Sequence, residues 1–224
     1  MTIVAGVDVS ASAAHLAVLD ADGRLVAAGV YPTDDVESLV SDLADCEVVA
    51  IDSPDRWSGG PLPEHAWASQ KFRSARCAEL ELGRRYGFWV PWVTPLPPRT
   101  VDDKARYGWM SAGIALFHRL GVDRAIEVYP NSIYRRLAGS TLSKKSTAAG
   151  AKERIELLRA WITPPRHIEM WSHDALDSLA AALVALQRLH GLAERVSCDH
   201  DGSAMWLPRT PSGSLTSSAT APPR

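Results

Sequence analysis

Five acidic residues stand where a carboxylate needs a chemical reason. Asp8 ends the apolar run 3–9, Asp52 ends EVVAID within 47–54, and Glu127 lies near the end of RAIEVYP, 124–130. Asp174 and Asp177 follow in HDALDSLAAAL. A carboxylate at the end of a buried strand must be hydrogen bonded, paired or solvated, because burying an isolated charge is costly. One such residue is readily satisfied by an arginine or by backbone donors. Several that converge repel one another, since like charges a few ångströms apart cannot all ionise. A divalent cation removes that conflict. Mg²⁺ takes carboxylate oxygens and keeps waters in its shell. Two such ions about 3.5–4 Å apart can activate a water and stabilise the leaving oxygen of a phosphodiester. Asp174 also has a plainer reading, as an acid favoured at the positive end of a helix. That reading serves Asp177 less well, because it sits a turn further into a very apolar helix.

The elements that must position these acids can be read from periodicity and turn chemistry. Residues 2–29 read as three short strands, with Asp22-Gly23 as a hairpin signal between the second and third. That makes an antiparallel meander whose first strand is free to pair onward in parallel. Asp34, with Glu37 three residues on, reads as a capping box for a helix ending near Cys46. The run 47–54 is then a parallel strand buried on both faces, reached by a right-handed crossover. Strand ends of this kind line the ligand crevice of open α/β sheets. Helices are expected over 74–86, 104–120, 131–137 and 152–161, and a third buried strand over 124–130. Residues 143–150 read as a polar, mobile linker with Lys144 and Lys145 exposed. Ser172 is a good N-cap for the last helix. Ala180 to Ala182 let that helix approach the sheet closely, and GSAMWLPR adds a short final strand near Met205.

Length and composition fit one α/β domain over 1–208, with a Trp- and Pro-rich insertion at about 53–100 and a disordered, Ser/Thr/Pro-rich tail over 209–224. The net charge of −2 excludes a global basic field, so a polyanion must meet a local patch. Arg73, Arg76, Arg84 and Arg85 on or beside the helix expected over 74–86 are the candidate nucleic-acid contacts, although an ordinary solvated helix face is the simpler single explanation of them. Trp57, Trp67, Trp89, Trp92 and Trp109 cluster between the second and third acids, for packing or for stacking on bases or sugars. Cys46, Cys77 and Cys198 are odd in number, far apart and without zinc spacing, which predicts reduced thiols and a cytoplasmic location. No leader is evident, and no apolar run approaches the roughly 18 residues of a membrane span.

GVDVS, AIDSP, RSARCAELELGRR, EVYPNSIYRRL and HDALDSLAAAL, in this order, resemble the domain-of-unknown-function 429 family, described as predicted ribonuclease H-like nucleases. The resemblance runs from about residue 3 to 208. It implies a ribonuclease H-like α/β fold with a mixed five-stranded sheet, three antiparallel strands followed by parallel ones, and helices on both faces. HDALDSLAAAL also looks like the end of the Holliday-junction resolvases, whose last helix carries paired metal-binding acids. By that match Asp8, Asp52, Asp174 and Asp177 are the expected catalytic metal ligands and Glu127 an accessory one. The implied cofactor is Mg²⁺ or Mn²⁺, and the implied partner is RNA or DNA, with no membrane and with a homodimer left open. Ser178 departs from the related pattern, which has Ala after the second acid. Two other functions compete. GVDVSASAAHLAVLDADG would pass for the first phosphate hairpin of actin-like ATPases and sugar kinases, but the chain lacks their second hairpin. A non-catalytic binding module on the same fold is the other.

Overall fold

Seven strands and seven α-helices account for most of residues 1–210, the part that the computed structural model describes. β1 (Ile3–Val9), β2 (Ala13–Asp20) and β3 (Leu25–Pro32) form the antiparallel meander. Gly23 turns β2 into β3 at φ 76°, and Asp20 Oδ1 accepts from the Asp22 and Arg24 amides to close the turn. α1 (Val36–Asp42) crosses over to β4 (Cys46–Asp52), which lies parallel to β1. Its cap is Asp35, which accepts from Ser38 N at 3.2 Å, one residue later than the expected Asp34. β5 (Ala125–Glu127) pairs in parallel with β4.

These five strands, in the order β3-β2-β1-β4-β5, make the ribonuclease H-like sheet that the resemblance implies. Two more extend it: β7 (Ala204–Leu207), parallel to β5, and β6 (Glu194–Ser197), antiparallel to β7. β7 is the strand expected near Met205. β6, ERVS, buries only Val196 and carries no apolar alternation to announce it.

Strand alternation sorts the side chains between two cores. Val4, Val48, Ala50, Ile126 and Val128 face α5 (Pro130–Ala138), α6 (Ala148–Arg159) and α7 (His173–Leu189). Ala5, Val7, Val49, Ile51 and Ala125 face α1 and α4 (Gly108–Leu120). The single helix expected over 104–120 is divided at Tyr107. α3 (Val101–Arg106) has its own capping box from Thr100 and Asp103, and α4 begins at Gly108. In the 53–100 segment, α2 (Cys77–Tyr86) packs with Phe72, Phe88 and Val90 against Met205 and Leu207, a third core over the β6–β7 end.

α7 makes the contact that matters for the site. A Cβ at Gly6 would lie 2.1 Å from both the Ser178 carbonyl oxygen and the Ala182 nitrogen, so backbone rests on backbone there. Only glycine permits that approach, and the buried Ala180–Ala182 run completes it. Ser172 caps α7 as expected, accepting from Ala175 N at 3.1 Å.

The expectation of three separate thiols fails for two of them. Cys77 and Cys198, 121 residues apart, are joined as a disulfide with Cα atoms 5.5 Å apart, whereas Cys46 is a buried free thiol. Sequence distance hid the pair, because α2 and the β6–β7 loop meet only in the fold. No described helix is long and apolar enough to cross a membrane. Of the tail expected over 209–224, Arg209 N donates to Gln187 Oε1 at 2.9 Å, and residues from 211 onward lie outside the described part.

Candidate metal centre

Asp8 and Asp52 are register partners in the parallel β1–β4 pair, so their side chains stand side by side on one face of the sheet. That face is the one against α7, and the Gly6 contact brings Asp177 to it. Asp8 is 6% exposed and Asp177 4%, while Asp52 is half-buried. The Asp8 and Asp52 carboxyls share a hydrogen bond. Burial is the main force on all three. It pushes Asp8 up to about 7, against the Asp52 hydrogen bond and with the Asp177 and Asp174 charges adding to it. Asp52 is raised well above the carboxylate range by burial and then by the neighbouring Asp8. Asp177 is also raised by burial, with Lys145 opposing.

Lys145 is the site residue that sequence reasoning missed. Its Nζ donates to Asp177 Oδ2 at 2.9 Å, although the side chain is 48% exposed. The segment expected to be mobile is tied to α6: Ser143 N and Oγ donate to Glu153 at 2.8 and 2.7 Å, and Arg154 Nη1 donates to the Ser143 carbonyl at 3.1 Å. Thr147 then caps α6 through Gly150 N. The sequence offers two lysines in a polar stretch and nothing to say which acid one of them would reach.

Asp174 is set at the rim, half-buried, with its Oδ1 3.1 Å from His173 Nε2, and its charge acts on Asp8, Asp177 and Lys145. With Lys145 holding Asp177, the oxygens of Asp8, Asp52 and Asp177 do not all close to within 4.8 Å of one another.

Glu127 is not brought to this group, which corrects its expected place as an accessory ligand. It is the register partner of Ile51, not of Asp52, and so points to the opposite face. There both its oxygens accept from Arg76, at 2.7 and 2.5 Å, and Asp55 N donates to it at 2.9 Å. Arg76 is corrected with it. It is 2% exposed and committed to Glu127, Glu79 and Asp55, so it presents no charge to a polyanion. Arg84 and Arg85 are half-exposed and both pair with Glu81, which halves their net field. Arg73 is exposed, as a surface contact requires.

A cleft of about 450 Å³ is lined by Asp52 and Asp177 together with Lys144, Lys145 and Arg154. Trp92 and Tyr129 add aromatic surface to its lining. Trp92 is held edge-on between Trp109 and Tyr129, at centroid distances of 5.6 and 5.8 Å.

The family described as "Protein of unknown function (DUF429)" matches residues 6–201. The chain belongs to that family. The matched span includes all five acids, Lys145 and Trp92. No curated protein matches the chain in sequence. Among solved structures it is similar to Thermus thermophilus RuvC in complex with a Holliday junction substrate, at 18% identity and a TM-score of 0.44, covering 85% of this chain and 97% of that one. A second Thermus thermophilus RuvC structure is similar at 17% identity and a TM-score of 0.41, with the same coverage.

Proposed function

We propose that this family member is a divalent-metal-dependent nuclease that hydrolyses phosphodiester bonds in RNA or DNA. The observation that carries the reading is the register-matched Asp8–Asp52 pair facing Asp177 at an open cleft. Burial and mutual repulsion make the charged form of this acidic group costly, and Lys145 offsets only part of that cost, which a bound cation would offset further. The donors are all carboxylate oxygens, which suit Mg²⁺ or Mn²⁺ rather than a softer metal. Asp8, Asp52 and Asp177 would hold the ion, with Asp174 at the rim. When bound, the ion lowers the pKa of an attacking water and neutralises charge on the phosphate.

The remaining work falls to the chain's own side chains. Burial and the neighbouring acids raise Asp8 to about 7, so a cation competes with a proton there and affinity for the ion rises with pH through about 7. Lys145 Nζ, once displaced from Asp177, would be free to pair with a phosphate oxygen in the cleft it lines. Lys144 is exposed beside it. Trp92 and Tyr129 offer flat apolar surface to a base or sugar.

The test is a panel of single-stranded, duplex, hybrid and branched RNA and DNA substrates with Mg²⁺ or Mn²⁺, run beside an ATP-consumption assay with common sugars. Cleavage that stops in chelator and in Asp177→Asn supports the nuclease reading. ATP turnover without cleavage favours the sugar-kinase-like alternative. Silence in both assays, with no divalent ion bound, favours a binding module.

A further inference from the structure

A second group of ligand-type side chains lies far from the acids in character. His65, Cys77 and Cys198 each bring a donor atom within 4.8 Å of the other two, and among the described residues they are the trio of His, Cys, Asp or Glu side chains that does so. His65 Nε2 is 3.6 Å from Cys77 Sγ. The imidazole is 5% exposed, and its Nδ1 is buried with no hydrogen-bond partner. A buried imidazole whose polar neighbours are sulfur atoms is poorly satisfied as a structural group, because sulfur is a weak partner.

The sulfurs are held in place from outside the trio. Cys77 opens α2, and its amide donates to Asp201 Oδ2 at 2.8 Å. The next amide, of Ala78, donates to Ser203 Oγ at 3.0 Å. Asp201 also accepts from Ser203 N at 2.8 Å. The loop that carries Cys198 is therefore fastened to the α2 N-terminus by side-chain hydrogen bonds in addition to the sulfurs. The His200 ring lies edge-on to His65 at 6.3 Å, on the exposed side.

We propose that His65, Cys77 and Cys198 form a structural zinc site in the reduced chain, with the fourth position on the His200 side. The sulfur–sulfur bond is the metal-free, oxidised form of the same site. A thiol or phosphine reductant supplies the two electrons that, with two protons, convert the bond to two thiols. Zn²⁺ then displaces the two thiol protons to solvent and binds both thiolates and the imidazole. Two thiolates and an imidazole select zinc, whereas the all-oxygen set at Asp8 selects a harder ion, so the two sites sort metals by ligand chemistry. The zinc would pin the 53–100 segment to the β6–β7 loop, and so would fix the segment that carries Trp92.

The experiment uses the full chain without a metal-binding tag, reduced with a phosphine and freed of metal. It is titrated with Zn²⁺ against a chromophoric chelator, then separately with Co²⁺. The expected result is about one zinc per chain with release of two protons, and a sulfur-to-cobalt charge-transfer band with tetrahedral d–d bands. His65→Ala and Cys198→Ser should each weaken zinc binding by at least about tenfold. Asp8→Asn should leave zinc binding unchanged, which separates this site from the acidic one. A reduced wild-type chain that takes up no zinc, or a cobalt spectrum without the charge-transfer band, would overturn the proposal. Undiminished zinc binding by Cys198→Ser would do so as well. The wild-type arms do not depend on any variant folding.

Discussion

Asp52 and Glu127 are both acids at the ends of neighbouring parallel strands, and their substitution should have opposite effects. Asp52 lies among like charges, so Asp52→Asn relieves repulsion and should leave the metal-free chain as stable or more so. Glu127 is one half of a buried ion pair with Arg76, and Glu127→Gln should cost about 3–5 kcal/mol. Denaturant melts of both variants in chelator separate the two roles. Asp8 adds a pH signature. Its folded pKa, near 7, is raised above the unfolded value, so the folded chain retains a proton that the unfolded chain has lost. Metal-free stability should therefore fall as pH rises from about 4 to about 7, by a few kcal/mol in order of magnitude. Asp8→Asn should flatten that slope in melts across the range, and a slope unchanged by the substitution would contradict the coupled acidic pair. At this scale the sequence pointed to Asp8, Asp52 and Asp177 through the types of their neighbours. It misplaced Glu127 because one residue of register moves a side chain to the other face, and no local pattern reports how β4 and β5 align, so far apart do they lie in the chain.

At the scale of elements, the site depends on how closely α7 lies on β1. The Gly6 contact leaves no room for a side chain: a Cβ would meet α7 backbone atoms, which cannot rotate away. Gly6→Val should cost more than about 3 kcal/mol and weaken divalent-ion binding together with stability, because α7 must move off the sheet and carry Asp177 with it. Equilibrium unfolding combined with an Mn²⁺ titration checks this, and a stable variant with intact binding would show that α7 docks elsewhere. The meander, the crossover and α7 were legible because β-branched runs, the Asp22-Gly23 turn and the Ser172 cap act locally. The division into α3 and α4 was not, since it falls at Tyr107, whose backbone at φ −109° and ψ 19° leaves the helix with no side-chain cap to announce the break. The anchoring of 143–150 was hidden too, because Glu153 and Arg154 bind that segment only once α6 has formed.

At the scale of the whole molecule, a net charge of −2 leaves polyanion binding to local geometry. The fold concentrates acids in the lining of one cleft, together with Lys144, Lys145 and Arg154, rather than on the arginines of α2. The order of the sequence blocks was enough to anticipate the central five strands. The Cys77–Cys198 pairing and β6 were not, because both arise where α2 packs against the far end of the chain, whereas β7 was expected near Met205. The account rests above all on Asp8, Asp52 and Asp177 being a site for a divalent ion. Calorimetric titration of Mn²⁺ into the full chain, wild type beside Asp8→Asn, tests that directly. The account predicts saturable binding by the wild type, stronger at about pH 8 than at about pH 6 because the ion competes with a proton on Asp8, which is raised to about 7, and a loss of at least about tenfold in the variant. Absence of binding to the folded wild type, or equal binding by Asp8→Asn, would contradict it.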